Sequence, residues 1–223
     1  MNNFIQRNHK LFALGLLVFW NFLLIGYRVH VTGRRTFLFF VWNLFLAIVP
    51  YLGSEVAAYF GSKNRKLAAL VFVMLAILFL PNAPYIITDL FHLRQREEMP
   101  LWFDTMLVFS VALSGLALFY VTLFAIKNVL ELLWGRMLSE ITVFFVSFLC
   151  SFGIYLGRYL RFNSWDVLSN PNDLFEEIAN PIINPSSNVR SLGVTLLYGA
   201  FLLTGYLVIK LFRMGSNSAT SRE

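Results

Sequence analysis

Apolar runs long enough to cross a bilayer recur along the chain and constrain it more than any other feature. They fall at about 11–27, 36–60, 66–82, 101–126, 137–160 and 190–212. Each is close to the ~20 residues with which an α-helix crosses a hydrocarbon core. Backbone N–H and C=O groups find no water in that core, so each run must satisfy them internally as a helix. The predicted fold class is all-α: an integral membrane helix bundle of about six transmembrane helices, with short interfacial or re-entrant helices on one side. The run at 36–60 carries Pro50 and is expected to kink or leave the membrane there.

Composition agrees. Hydrophobic residues make up 58% and charged residues 13% of the 223, against roughly 45–50% and about 25% in soluble domains. The formal charge of +6 comes from Lys and Arg placed between the apolar runs, as membrane-flanking residues are, and not along one polar face. That pattern argues for the lipid bilayer and against nucleic acid as the partner. The single cysteine, Cys150, lies inside an apolar run, which rules out an intramolecular disulfide or a cysteine metal cluster. Arg7 and Lys10 precede the first run as in a signal peptide. The run nevertheless continues to Tyr27 without a small-residue cleavage site and is followed by Arg28, so it reads as a retained first span. Residues 1–214 read as one transmembrane domain and the polar stretch 215–223 as a disordered tail.

An even number of spans puts both termini on one side. Arg7, Lys10, Lys63, Arg65, Lys66, Lys127, Arg136, Lys210, Arg213 and Arg222 fall there. Arg28, Arg34, Arg35, Arg94, Arg96, Arg158, Arg161 and Arg190 fall on the other. Ten against eight favours cytoplasmic termini. Within the spans, Ser110 with Ser114, Ser147 with Ser151, and Gly153 with Gly157 are small-xxx-small pairs that let helix backbones approach. Glu55, Glu131 and Glu140 lie toward the terminal side and read as solvated.

Unusual polar residues gather on the side away from the termini. Pro81 and Pro84 end the third span, because the residue before a proline is pushed out of the helical region. Pro84 suits the first position of a new short helix, with Asn82 or Ala83 at its cap. On that helix Tyr85, Thr88, Asp89 and His92 share one face at helical spacing. Asp89 and His92, three apart, are placed to bind a metal or exchange a proton; alternatively Asp89 only orients His92. Asp104 follows Trp102 and Phe103 in the first turn of the fourth span, where the helix dipole favours a carboxylate whether or not it is catalytic. Arg158 and Arg161 close the fifth span; they can snorkel, neutralise Asp89, Asp104 or Asp166, or clamp an anionic group. Asn163 to Asp166 reads as a capping box, with Asp173 and Glu176 repeating the pattern further on. Asn21 and Asn43 lie near mid-membrane, where an unpaired amide is costly, and are expected to bond other helices.

Four motifs carry a family resemblance. They are Asn43-Leu44-Phe45-Leu46-Ala47 with Pro50, the run from Pro81 to Leu90, Trp102-Phe103-Asp104, and Gly157-Arg158 through Arg161 to Asn163-Ser164-Trp165-Asp166. Together they resemble the uncharacterised bacterial membrane family numbered 1361 among the domains of unknown function, from the second span to the sixth. Phe103 departs from a Trp-Tyr-Asp pattern and removes a hydroxyl. The resemblance implies a bacterial plasma-membrane protein and supplies no activity.

Three functions remain open. A membrane-embedded enzyme acting on a lipid head group or lipid-linked substrate would use Asp89, His92, Asp104 and Asp166 as acid–base groups or metal ligands, with Arg158 and Arg161 holding an anion. Asn43, Asn82, Tyr85 and Asn163 would support that cluster. A solute or ion transporter would use the broken third span with Asn21 and Asn43. A non-catalytic assembly or partner-binding protein would use the polar groups only to tie loops to the bundle. An enzyme predicts the carboxylates and His92 converging in a cleft, whereas a scaffold predicts arginine–carboxylate pairs. The sequence specifies no cofactor or oligomeric state; a lipid or small-molecule ligand at the non-cytoplasmic face is compatible with all three.

Overall fold

The computed structural model describes residues 2–220, apart from the side chains of 2–8, 182, 185 and 216–220. Among these residues the chain is α-helical without strands. Six stretches are long and apolar enough to cross a membrane: His9–Thr32, Phe39–Ser62, Lys66–His92, Leu101–Trp134, Arg136–Leu160 and Val189–Gly215. By its internal contacts the chain falls into two compact units, Met1–Val129 and Leu130–Glu223.

The first unit is built from α1 (Asn2–Thr32), α2 (Phe39–Ser62), α3 (Lys66–Phe79), α4 (Asn82–Tyr85) and most of α5 (Leu101–Trp134). In α1 the lipid-type residues are outside and the polar ones inside. Phe12, Phe19, Phe22, Leu23 and Tyr27 are exposed, whereas Leu14, Asn21, Ile25 and Arg28 form the buried stripe. Three of the four recur every seven residues, two helical turns apart on one face. Against α2, α3 presents Ala69, Val73 and Ala76, all buried, and Ala76 lies close enough that a Cβ on Gly53 would sit 3.4 Å from its own. Small residues let the two backbones approach where lipid supplies no hydrophobic drive. Helix α2 runs on through Pro50, which is buried inside it.

The third span ends where the prolines demand. Helix α3 stops at Phe79, and the Leu80 N–H bonds the Ile77 carbonyl three residues back, a tighter turn than the α-helix uses. The chain continues as α4 and then a 3-10 helix at Ile86–His92, not as a new α-helix starting at Pro84. Nor is Asn82 a side-chain cap: its Nδ2 donates backwards to the Phe79 carbonyl at 2.8 Å. The amide thus fills an acceptor left open because the Ala83 N–H, its usual helical donor, turns instead to the Leu80 carbonyl. Gly115 of α5 receives this break, since a Cβ there would stand 2.3 Å from the Ala83 carbonyl oxygen.

The second unit contains α6 (Arg136–Tyr155) with a π-helical turn at Leu156–Leu160, then α7 (Asp166–Ser169), α8 (Pro171–Ile183) and α9 (Val189–Thr220). Helices α6 and α9 run antiparallel. Glu140 meets Tyr206 and Lys210 at one end, Phe148 packs over Gly199 in the middle, and Arg190 lies over the Tyr159 ring at the other. Of the tail expected at 215–223, the last three residues lie outside those described, and α9 extends through the rest to Thr220.

Candidate functional site

The most heavily buried charge in the first unit is a pair that α1 and α5 bring together. Arg28 donates from Nε to Asp104 Oδ1 at 2.7 Å and from Nη2 to Oδ2 at 3.1 Å, and both side chains are only 1% exposed. This is the fork-to-fork geometry that makes arginine–carboxylate contacts both strong and directional. Arg96, from the connection 93–100, adds a third bond, Nη1 to Oδ2 at 3.2 Å, and is 13% exposed. The Cζ atoms of Arg28 and Arg96 lie 4.2 and 4.7 Å from the centroid of the buried Phe37 ring, whose π face attracts a desolvated cation. Two guanidinium groups against one carboxylate leave the cluster positive. One donor, Arg28 Nη1, is buried without a hydrogen-bond partner.

Ten residues further along α5, a second polar rung joins the same helices. Asn21 Nδ2 donates to Ser114 Oγ at 2.7 Å and to the Leu17 carbonyl at 2.8 Å, while Oδ1 is left buried and unpartnered. The pairs 28–104 and 21–114 run in opposite senses along the two helices, so α1 and α5 are antiparallel neighbours. Asn21 thus bonds another helix, as its cost in hydrocarbon requires.

The 3-10 segment carries the two residues expected to work as a pair, and they differ in burial. Asp89 is buried and accepts from Asn43 Nδ2 at 3.1 Å, which joins the third span's broken end to α2. Thr88 is buried as well, its hydroxyl donating to the Tyr85 carbonyl at 2.7 Å, and Tyr85 is half-buried. His92 ends the helix, exposed, with the Phe39 ring 6.3 Å away, and the chain turns extended at Leu93. The difference is one of depth along the segment: Asp89 sits inside the unit and His92 at its edge. Among the described residues, no three His, Cys, Asp or Glu side chains are grouped to hold a metal, so Asp89 and His92 lack a third ligand of those types.

In the second unit, Asp166 serves its own turn. Its Oδ2 accepts the Asn163 backbone N–H at 2.6 Å and the Asn163 side-chain amide at 3.4 Å, and its Oδ1 accepts the Ser169 hydroxyl at 2.8 Å. This forms the returning half of the expected capping box. The Asn163 N–H, and after it the Ser169 hydroxyl, hold the Asp166 carboxyl below its ordinary value. Arg161 is exposed and left-handed, φ 64°, where the π-helical turn closes; Arg158 is half-buried within that turn. Of the carboxylates offered to these two arginines, Asp104 is instead taken by Arg28 and Arg96.

Two groups of working residues escaped the sequence reading. Arg28 and Arg96 read as flanking residues and Phe37 as one more apolar residue of the second run, although Arg28 stands seven positions after Asn21 and shares its face. Glu140, expected in water, accepts Lys210 Nζ at 2.6 Å and the Tyr206 hydroxyl at 2.9 Å, with Tyr206 buried. Glu140 and Tyr206 lie 66 residues apart, so no local pattern announces the contact.

A family model described as a protein of unknown function, DUF1361, matches residues 42–204. No curated protein and no solved structure matches the chain.

Proposed function

Since the chain belongs to the DUF1361 family, whose function is unknown, we propose from the geometry that it is a non-catalytic multi-pass membrane protein whose polar cluster is a structural lock beneath a partner-binding face. The observation that carries this reading is the Asp104 carboxylate, 1% exposed, with both oxygens engaged by Arg28 and Arg96. A general acid or base must reach the proton it transfers, and a carboxylate packed beneath two guanidinium groups is poorly placed for that. Asp89, buried as well, accepts the Asn43 amide on one oxygen.

The lock fixes the connections around it. Arg96 anchors 93–100 to α5, and Arg34 reaches across to Glu98 at 2.8 Å, which ties the connection between α1 and α2 to the same place. The surface held there carries the exposed Arg35 and Arg94 and suits a partner, lipid head group or small molecule of negative charge. In this reading the membrane is the bacterial plasma membrane, the termini are cytoplasmic and the Arg28 end of α1 faces away from the cytoplasm. The ten-to-eight bias of basic residues supports that orientation. Arg28 is buried against Asp104 and does not flank the membrane, and leaving it out of the eight sharpens the bias.

The test compares Asp104→Asn with the double substitution Arg28→Leu/Asp104→Leu in purified protein. A lock predicts that the single change lowers folded yield, because a buried cation loses its counter-charge, and that the apolar pair restores it. An Asp104→Asn protein as stable as the unsubstituted one would overturn the reading.

A further inference from the structure

The segment that leaves the membrane after α6 and returns at α9 carries an amphipathic helix, and its apolar residues are left exposed. Helix α8 has 13 residues; at 1.5 Å per residue it is about 20 Å long, too short to cross the bilayer. At about 100° per residue, Pro171, Leu174, Phe175, Ile178, Ala179 and Pro181 fall on one arc, and Asn172, Asp173, Glu176, Glu177 and Asn180 on the opposite one. The apolar arc itself has two flanks. Leu174 and Pro181, on one, are buried; Phe175, on the other, is 72% exposed. The helix therefore has three sectors: one packed on protein, one acidic and one apolar and uncovered.

Connectivity identifies what covers the third. The π-helical turn ends at Leu160 and α9 begins at Val189. Because α6 and α9 are antiparallel, with Arg190 over Tyr159 at this end, the segment 161–188 starts and finishes at the same membrane face. Leu168, 87% exposed in α7, together with exposed Trp165 and Val189, continues the uncovered apolar surface toward both spans. A Trp at this level is the usual interfacial anchor.

We propose that α8 lies in the plane of the membrane, with Phe175 and Leu168 seated at the boundary between lipid head groups and acyl chains. The occupant of the uncovered flank is the bilayer to which both ends of the segment are already tied. Asp173, Glu176 and Glu177 then face water. Since this polar face is acidic, docking rests on apolar burial and not on attraction to anionic lipid.

Site-directed spin labelling of the full chain in phosphatidylcholine vesicles tests this. Single cysteines at Leu168, Phe175 and Glu176 are introduced in a Cys150→Ala background and labelled with nitroxide. Accessibility is then read to oxygen, which concentrates in lipid, and to a water-soluble nickel chelate. Labels at 168 and 175 are expected to favour oxygen, and the label at 176 to favour nickel. Phe175→Asp should reduce oxygen access at 168 while thermal unfolding of the chain stays intact. Nickel preference at all three sites would overturn the proposal. So would shielding of 168 and 175 from both reagents, which would mean that protein covers the flank, or docking seen only in vesicles containing anionic lipid.

Discussion

Arg28 and Asp104 face each other across α1 and α5 as a bidentate pair, at 2.7 and 3.1 Å, with both side chains all but removed from solvent. Their attraction offsets the cost of desolvating each charge only while both are present. Asp104→Asn should therefore cost about 3–5 kcal/mol, and Arg96→Gln less, about 1–2 kcal/mol, because Arg96 keeps some contact with water and gives up a single bond. Denaturant unfolding in detergent checks the order: Asp104→Asn below Arg96→Gln below the unsubstituted protein.

Gly115 is required by the broken span. A Cβ at this position would meet the Ala83 carbonyl oxygen at 2.3 Å and the Ile86 side chain at 3.2 Å, and the first of these is backbone that cannot rotate aside. Gly115→Ala should lose about 1–3 kcal/mol through overpacking, even though alanine is the better helix former. A Gly115→Ala protein with raised thermal stability would show that the break moves freely.

Asn43→Leu removes the amide that donates to the buried Asp89 carboxylate at 3.1 Å. A hydrogen bond to a charged group contributes about 1.5–3 kcal/mol, and leucine of similar size leaves little cavity. The loss should appear in the 3-10 segment first, as faster amide exchange at Ile86–His92 than in α2 itself.

Asp166 gives a pH signature. Its carboxyl is held below its ordinary value by the Asn163 N–H and the Ser169 hydroxyl. The folded turn therefore prefers the ionised form more than the unfolded chain does. The resulting stabilisation is complete above the ordinary value of 3.8 and disappears as pH falls through the depressed one. Amide protection at 163–169 should drop on acidification over that interval, and Asp166→Asn should abolish the dependence.

Tyr206→Phe separates the two bonds that Glu140 accepts. It removes the 2.9 Å hydroxyl contact and leaves the 2.6 Å contact from Lys210. A loss of about 0.5–1.5 kcal/mol is expected. Lys210→Met should cost more, since it removes a charged donor at 2.6 Å from a partly buried carboxylate.

The sequence alone determined the spans, the break at Pro81 and the need of Asn21 and Asn43 for partners. Each follows from a local rule: apolar length against membrane thickness, proline's missing donor, and the cost of an amide in hydrocarbon. It also offered the capping box at Asn163–Asp166, because that motif closes within four residues. Tertiary structure alone decided the pairings. Arg28 looks the same in sequence whether it snorkels to the head groups or turns inward to Asp104, 76 residues away, and Glu140 looks solvated until α9 brings Lys210 and Tyr206 beside it. Asp89 and His92 share a spacing but not a depth. Periodicity records direction around a helix axis, and only packing fixes how far along that axis the protein ends and solvent begins.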